Sequence, residues 1–304
     1  MTTSSGEHPA RERHHPRAAR GSRSRGLRAW LPLTLAVATV ISGCAGIQPD
    51  PRVAVASSPG GASAKRLSAD DLRKDFEDFA AKLPGEVALA WAAVGSRHEV
   101  QSLGSVRDEA AWSTAKVPLG VARLRLAGGK LNDKTSEVLR RAITRSDNAA
   151  AKTLWQGLGT PQQAVALMGK VVRDAGDEAT SFNTAEFGLS PWTVPNQAQF
   201  AAGLPCIPDG PSVLDLMDEV IPQQSWGLGK TGLPAQFKGG WGIGPHGLLV
   251  RQLGVLTTSD GGQIGGAIAT MPHTKTTSVA ESNMDAVASW IAGRLGPADA
   301  GRCT

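Results

Sequence analysis

The sequence contains no tyrosine, and aromatic residues make up 5% of it. Any mechanism that needs a tyrosinate base is therefore excluded. Histidine is also scarce. His8, His14 and His15 crowd the amino end, and His98, His246 and His273 stand in no metal-ligand spacing. Neither a metal centre nor a cofactor is expected. No apolar run approaches the roughly 20 residues that span a bilayer, and no internal repeat is evident. The net charge is +5, but the excess is local: residues 1–43 hold seven Arg, no Lys and two Glu, leaving 25 basic and 25 acidic residues beyond them. A nucleic-acid partner, which needs a basic face, gains no support.

The basic stretch ends at Arg28 and is followed by an apolar segment from Ala29 to Ile41, then Ser42-Gly43-Cys44. This order of basic, apolar and small residues is that of an export signal. Ile41-Ser42-Gly43-Cys44 resembles the lipobox of bacterial lipoproteins, which implies lipidation at Cys44 and an anchor on the outer face of the cell membrane. Residues 1–43 are thus expected to be a signal peptide. Residues 44–65, broken by Pro, Gly and Ser, read as a flexible tether, and 66–304 as the functional domain. Export to an oxidising compartment makes a Cys206–Cys303 disulfide an expectation, with two unpaired thiols as the alternative.

Within the domain, Ser68-Ala69-Asp70-Asp71 opens a helix carried by Leu72, Phe76 and Phe79 to about Lys82. Glu86 to Val94 reads as a buried strand with Val100 to Leu103 as its hairpin partner. A helix is expected from Ser113 to about Ala127. Further helices follow over 133–145, 149–158, 161–173, 196–204 and 212–220. From Ala235 the pattern changes to an antiparallel meander, with strands near 235–240, 248–256 and 263–270, and a helix over 279–295 closes the chain. Strands from both ends around an all-helical insert, about 113–220, make an α+β fold with an antiparallel sheet.

The chemistry centres on Ser113 and Lys116, one helical turn apart and so on one face. A serine hydroxyl needs a neighbouring base to become a nucleophile. A lysine serves as that base once burial lowers its pKa. Downstream come Ser146-Asp147-Asn148 and then a late strand carrying Lys238-Gly239-Gly240-Trp241. Ser-x-x-Lys, Ser-Asp-Asn and a lysine–glycine strand, in that order, resemble the serine β-lactamase and penicillin-binding-protein superfamily. The resemblance covers roughly residues 66–296. Ser113-Thr114-Ala115-Lys116-Val117-Pro118-Leu119 looks like the class A nucleophile segment.

The resemblance implies a β-lactamase/transpeptidase-like fold and an acyl-enzyme at Ser113. Lys116 would be the base, Ser146 the proton relay to the leaving nitrogen, and Asn148 a partner of both Lys116 and the substrate amide. Lys238, helped by Arg251, would hold a substrate carboxylate. The backbone N–H groups of Ser113 and Trp241 would form the oxyanion hole, with Gly239 and Gly240 lining the strand. Lys230-Thr231-Gly232 matches the family's third motif literally, but its Gly and Pro neighbours suggest a turn, so Lys238 is preferred. Ser181-Phe182-Asn183 fits a loose Ser-x-Asn in an irregular loop and is set aside.

Two departures stand out. Ser113 and Ser146 are 33 residues apart, fewer than in class A enzymes, which predicts a more open cleft. Class A enzymes also carry an E-x-x-L-N loop whose glutamate activates the deacylating water. The stretch Ala179–Thr193 is read as lacking it, with Glu186 its sole carboxylate and candidate base. Acylation is expected to outrun release. The functional expectation is a monomeric serine hydrolase acting on β-lactams or related acyl-amides. The alternatives are a D,D-peptidase-like penicillin-binding protein taking a peptidoglycan-related substrate, or an idle scaffold of the same fold.

Overall fold

The computed structural model describes residues 68–96 and 99–304. The expected signal peptide, Cys44 and the tether lie outside the described residues. The first helix, α1 (Ala69–Ala80), starts where a cap is available: Ser68 Oγ accepts from the Asp71 N–H at 3.1 Å, and Asp70 and Asp71 sit in the positive first turn. Its apolar stripe lays Phe76 edge-on against Trp290, with ring centroids 5.0 Å apart. Burying Phe76 contributes about 1.5–3 kcal/mol.

Five antiparallel strands form the sheet: β1 (Gly85–Ala93), β2 (Gln101–Gly104), β3 (Ala235–Gly244), β4 (Gly247–Thr257) and β5 (Gln263–Pro272). Their order is β2-β1-β5-β4-β3. The amino-terminal strand thus pairs with the last one, Leu89 opposite Ile268, so both ends of the domain build one sheet. The continuous apolar run in β1 follows from burial on both faces. Ala88 and Ala90 face the core shared with the helical region, while Val87, Leu89 and Trp91 pack in the core that includes Phe76.

Between β2 and β3 lie α2 (Lys116–Leu126), α3 (Asp133–Thr144), α4 (Asn148–Gln156), α5 (Pro161–Asp174), α6 (Val194–Gly203) and α7 (Gly210–Asp218); α8 (Thr277–Ala292) closes the domain. This is the expected α+β arrangement, with one local correction. Ser113 does not open an α-helix; Trp112–Ala115 is a 3-10 turn and the α-helix begins at Lys116. The cause is at Trp112, whose φ of 48° cannot continue a right-handed helix backwards. Cys206 and Cys303 are disulfide-bonded with Cα atoms 5.2 Å apart, tying the carboxyl-terminal tail to the turn after α6. None of the described helices is long and apolar enough to cross a membrane.

Candidate active site

Lys116, the first residue of α2, is 2% exposed. Its Nζ donates to Ser113 Oγ at 2.9 Å, to Ser146 O at 2.7 Å and to Asn148 Oδ1 at 2.7 Å, with Ser146 Oγ 3.3 Å away. The i,i+3 spacing brings the lysine to the serine, and the insertion of α2 into the core supplies the dry surroundings. Burial pushes the amine down to about 8, against the opposing pull of the Asp147 carboxylate. At neutral pH roughly a tenth of such a lysine is unprotonated and able to take a proton.

Ser146 sits in the left-handed region, at φ 57°. Such a conformation costs about 1–3 kcal/mol in a non-glycine residue and persists only where its surroundings hold it. Here the next residue supplies the hold. Asp147 caps α4 by accepting from the Ala150 N–H at 2.9 Å, and it is ion-paired with Arg141. These bonds keep its carboxyl below the usual range, the Ala150 N–H first and Arg141 next. The strained turn presents both the carbonyl and the hydroxyl of Ser146 to Lys116.

The third element comes from β3, the edge strand. Lys238 is fully buried, and its Nζ donates to Ser146 Oγ at 3.0 Å and to Gly239 O at 2.8 Å. Burial lowers its pKa well below the ordinary lysine value, and Lys116 lowers it further. Lys230 is exposed, at the end of a 3-10 turn, Gly227–Lys230. Lys238 is the lysine that meets Ser146.

The glycines explain why β3 can lie so close. A Cβ on Gly240 would stand 2.8 Å from the Ser113 backbone N, and one on Gly242 2.3 Å from the Trp112 ring. Only a strand without side chains at positions 240 and 242 fits against the Ser113 turn. Trp241 points the other way, 41% exposed, with its ring tilted against Trp226 at 6.3 Å. Among the described residues no group of three His, Cys, Asp or Glu is gathered as metal ligands.

No protein-family model matches the sequence, and no curated protein sequence matches it. Solved structures do match in three dimensions. An ancestral class A β-lactamase superposes with a TM-score of 0.56 at 18% identity, over 74% of this chain and all of that one. PBP-A does so with a TM-score of 0.56 at 16% identity, over 76% and 98%. A class A β-lactamase from Mycobacterium abscessus gives 0.54 at 17% identity, over 74% and 99%. This is the serine β-lactamase/penicillin-binding-protein fold.

Within that β-lactamase-like fold, Arg251 is not where the sequence places it. It is fully buried and spends its guanidinium on the protein: Nε on Gln197 Oε1 (3.1 Å), Nη1 on the carbonyls of Glu109 and Ala110 (2.8 and 2.9 Å), Nη2 on the Trp192 carbonyl (2.6 Å). In register it stands opposite Gly240 and projects into the interior rather than the cleft. Burial pushes it down to about 9, partly offset by the charges of Glu109 and Asp108. Arg251 therefore clamps the segment before Ser113 and is corrected from substrate ligand to scaffold. The sequence reading missed its partner Gln197, whose Nε2 donates to Thr114 Oγ1 at 2.7 Å, next to Ser113. A glutamine at full burial inside α6 has no sequence signature of its own.

The expectation for the Glu186 loop also needs amending. Glu186-Phe187-Gly188-Leu189 keeps the E-x-x-L spacing, with Ser190 in place of asparagine. The loop's return is pinned beside the Ser113 turn, Ala111 N donating to Ser190 O at 2.9 Å and Trp192 N to Glu109 O at 2.8 Å. Phe187 stacks on Trp155 of α4, with centroids 5.0 Å apart. The Glu186 side chain is exposed and has no partner among the described residues. Asn183 only caps the local turn, accepting from the N–H groups of Ala185 and Glu186.

Proposed function

We propose that this chain is an exported, lipid-anchored serine hydrolase of β-lactamase-like type, acylated at Ser113 by β-lactams or related acyl-amides. The observation that carries the reading is the 2.9 Å bond from a buried, pKa-lowered Lys116 to Ser113 Oγ. Neutral Lys116 takes the hydroxyl proton as Oγ attacks the acyl carbonyl. The developing oxyanion lies between the Ser113 and Trp241 N–H groups, on the glycine-bare face of β3. The carbon–nitrogen bond then breaks, and the proton passes through Ser146, held by Lys238, to the leaving nitrogen. Asn148 anchors Lys116 and offers its amide N–H to the substrate. A PBP-A variant of the same fold has been solved as an acyl-enzyme with penicillin G, which supports this substrate class.

A D,D-peptidase-like penicillin-binding protein is the second reading, and the solvent-facing Glu186 favours it. With no carboxylate among the described residues bonded to Lys116, Ser113 or Ser146, water lacks a placed base and the acyl group should linger. Incubation with a penicillin and a chromogenic cephalosporin decides between them. A mass adduct that outlasts turnover and vanishes in Ser113→Ala is the expected result; rapid hydrolysis indicates a lactamase. The absence of both adduct and hydrolysis would defeat both readings. Lipidation at Cys44 predicts that the chain partitions into detergent and that Cys44→Ser moves it to the aqueous phase. Unchanged partition would refute the anchor.

A further inference from the structure

One face of β3 runs the length of the site, because residues 238, 240, 242 and 244 alternate onto it. Lys238 reaches Ser146, and Cβ atoms on the three glycines would meet, in turn, the Ser113 N, the Trp112 ring and the Asp108 carboxylate. An acyl carbon held at Ser113 has its leaving nitrogen toward Ser146, so its acyl chain runs the other way, toward Gly244. At about 3.3 Å per residue, Gly244 lies about 13 Å beyond Gly240. A cavity of about 680 Å³ opens there, between the end of β3, the segment before Ser113 and the return of the Glu186 loop. Trp112, Leu189, Pro191 and Ile243 give it an apolar wall, with Leu189 and Ile243 exposed.

Two polar atoms of this wall lack partners. Asp108 is 8% exposed, and its Oδ1 accepts from the Ala110 N–H at 3.0 Å. Its Oδ2 has no hydrogen-bond partner among the described residues. That oxygen lies at the seam with Gly244, where an added Cβ would fall 1.9 Å from it. The buried indole N–H of Trp112 is unpartnered as well. A carboxylate taken out of water is costly unless a cation or donor meets it. Glu109, the next residue, adds an exposed carboxylate to the same wall. The nearby arginines are committed. Arg107 is ion-paired with Glu86. Arg251 feels the charges of Glu109 and Asp108, but gives its hydrogen bonds to three carbonyls and Gln197. Two carboxylates thus share one guanidinium that bonds neither, and the wall keeps a negative excess. His246 is its remaining titratable side chain.

We propose that this cavity receives the acyl half of the substrate and selects acyl chains that end in a cation, such as an alkylammonium group. The apolar stem lies on Leu189 and Ile243, and the charge is held at Asp108 and Glu109. The proposal rests on the acyl-serine reading and gives it a substrate class. Only a chain long enough to pass Trp112 gains from the carboxylates; a short one leaves them unmet.

The test uses three penicillins with one nucleus and aminohexanoyl, heptanoyl or adipoyl side chains, so that the tip is an ammonium, a methyl or a carboxylate. Each is given to the full chain in detergent at about pH 8, above the ordinary histidine range. In each, Ser113 Oγ bonds to the lactam carbonyl carbon, the ring carbon–nitrogen bond breaks, and the serine proton passes to that nitrogen. Labelling is followed by intact mass, with benzylpenicillin alongside. The aminohexanoyl compound should label fastest and the adipoyl slowest, roughly tenfold apart at low salt, with the ratio shrinking in high salt. Glu109→Gln, at an exposed position, should narrow that ratio, its unfolding midpoint showing that the variant folds; Asp108→Asn should narrow it further. Heptanoyl or adipoyl labelling as fast as aminohexanoyl overturns the proposal, as does a ratio untouched by Glu109→Gln, or labelling by benzylpenicillin alone. Labelling by none of the four, or labelling that survives in Ser113→Ala, overturns the acyl-serine reading itself.

Discussion

Lys116 and Lys238 both approach the hydroxyl of Ser146, at 3.3 and 3.0 Å. Two ammonium ions so close in a buried site repel, so the cluster holds fewer protons than two free lysines would. Burial brings Lys116 down to about 8. Since the base form is the unprotonated amine, acylation should rise about tenfold per pH unit toward 8 and level off above it. A rate flat between pH 6 and 8 would remove Lys116 from the role of base. Lys116→Met should lower the acylation rate about 10²–10⁴-fold, as expected for loss of a general base. The i,i+3 pairing of Ser113 and Lys116 was readable from spacing alone. Its electrostatics were not, because the drop in pKa depends on what α2 is buried against.

At the scale of elements, the site is a junction of three: the start of α2, the turn into α4 and the edge of β3. Arg251 joins their supports by bonding the segment before Ser113, the end of the Glu186 loop and α6 through Gln197. Arg251→Met should cost about 1–3 kcal/mol for each buried acceptor it strands, first of all the Trp192 carbonyl and the Gln197 amide oxygen. Urea unfolding measures it, and a loss under 1 kcal/mol would deny Arg251 the clamp. The sequence shows an arginine inside a buried run from Leu248 to Leu256, but side-chain direction depends on register. Opposite Gly240, Arg251 faces inward; no local pattern near it announces the carbonyls of Glu109, Ala110 and Trp192. Glu186 is the converse case. Its spacing to Leu189 is in the sequence, yet the stacking of Phe187 on Trp155 is a tertiary contact, and beside it the carboxylate stays in solvent.

For the whole molecule, the Cys206–Cys303 bond spans 97 residues and holds the tail beside the sheet, where Gly301 bridges to Gln263. Closing such a loop contributes roughly 4–5 kcal/mol on the chain-entropy model. Reduction, or the Cys206→Ser and Cys303→Ser pair, should lower the unfolding free energy toward that amount; an unchanged denaturation midpoint would show the bond to be idle. The chain by itself determined the α+β class, the order of the elements and the pairing of Ser113 with Lys116, because periodicity and i,i+3 spacing are local properties of a polymer. Only the tertiary structure decided which lysine, Lys230 or Lys238, meets Ser146, and that Arg251 is scaffold. Those outcomes depend on strand register and on burial, which are set by residues far apart in the chain, 92 positions for Ser146 and Lys238 and 142 for Glu109 and Arg251.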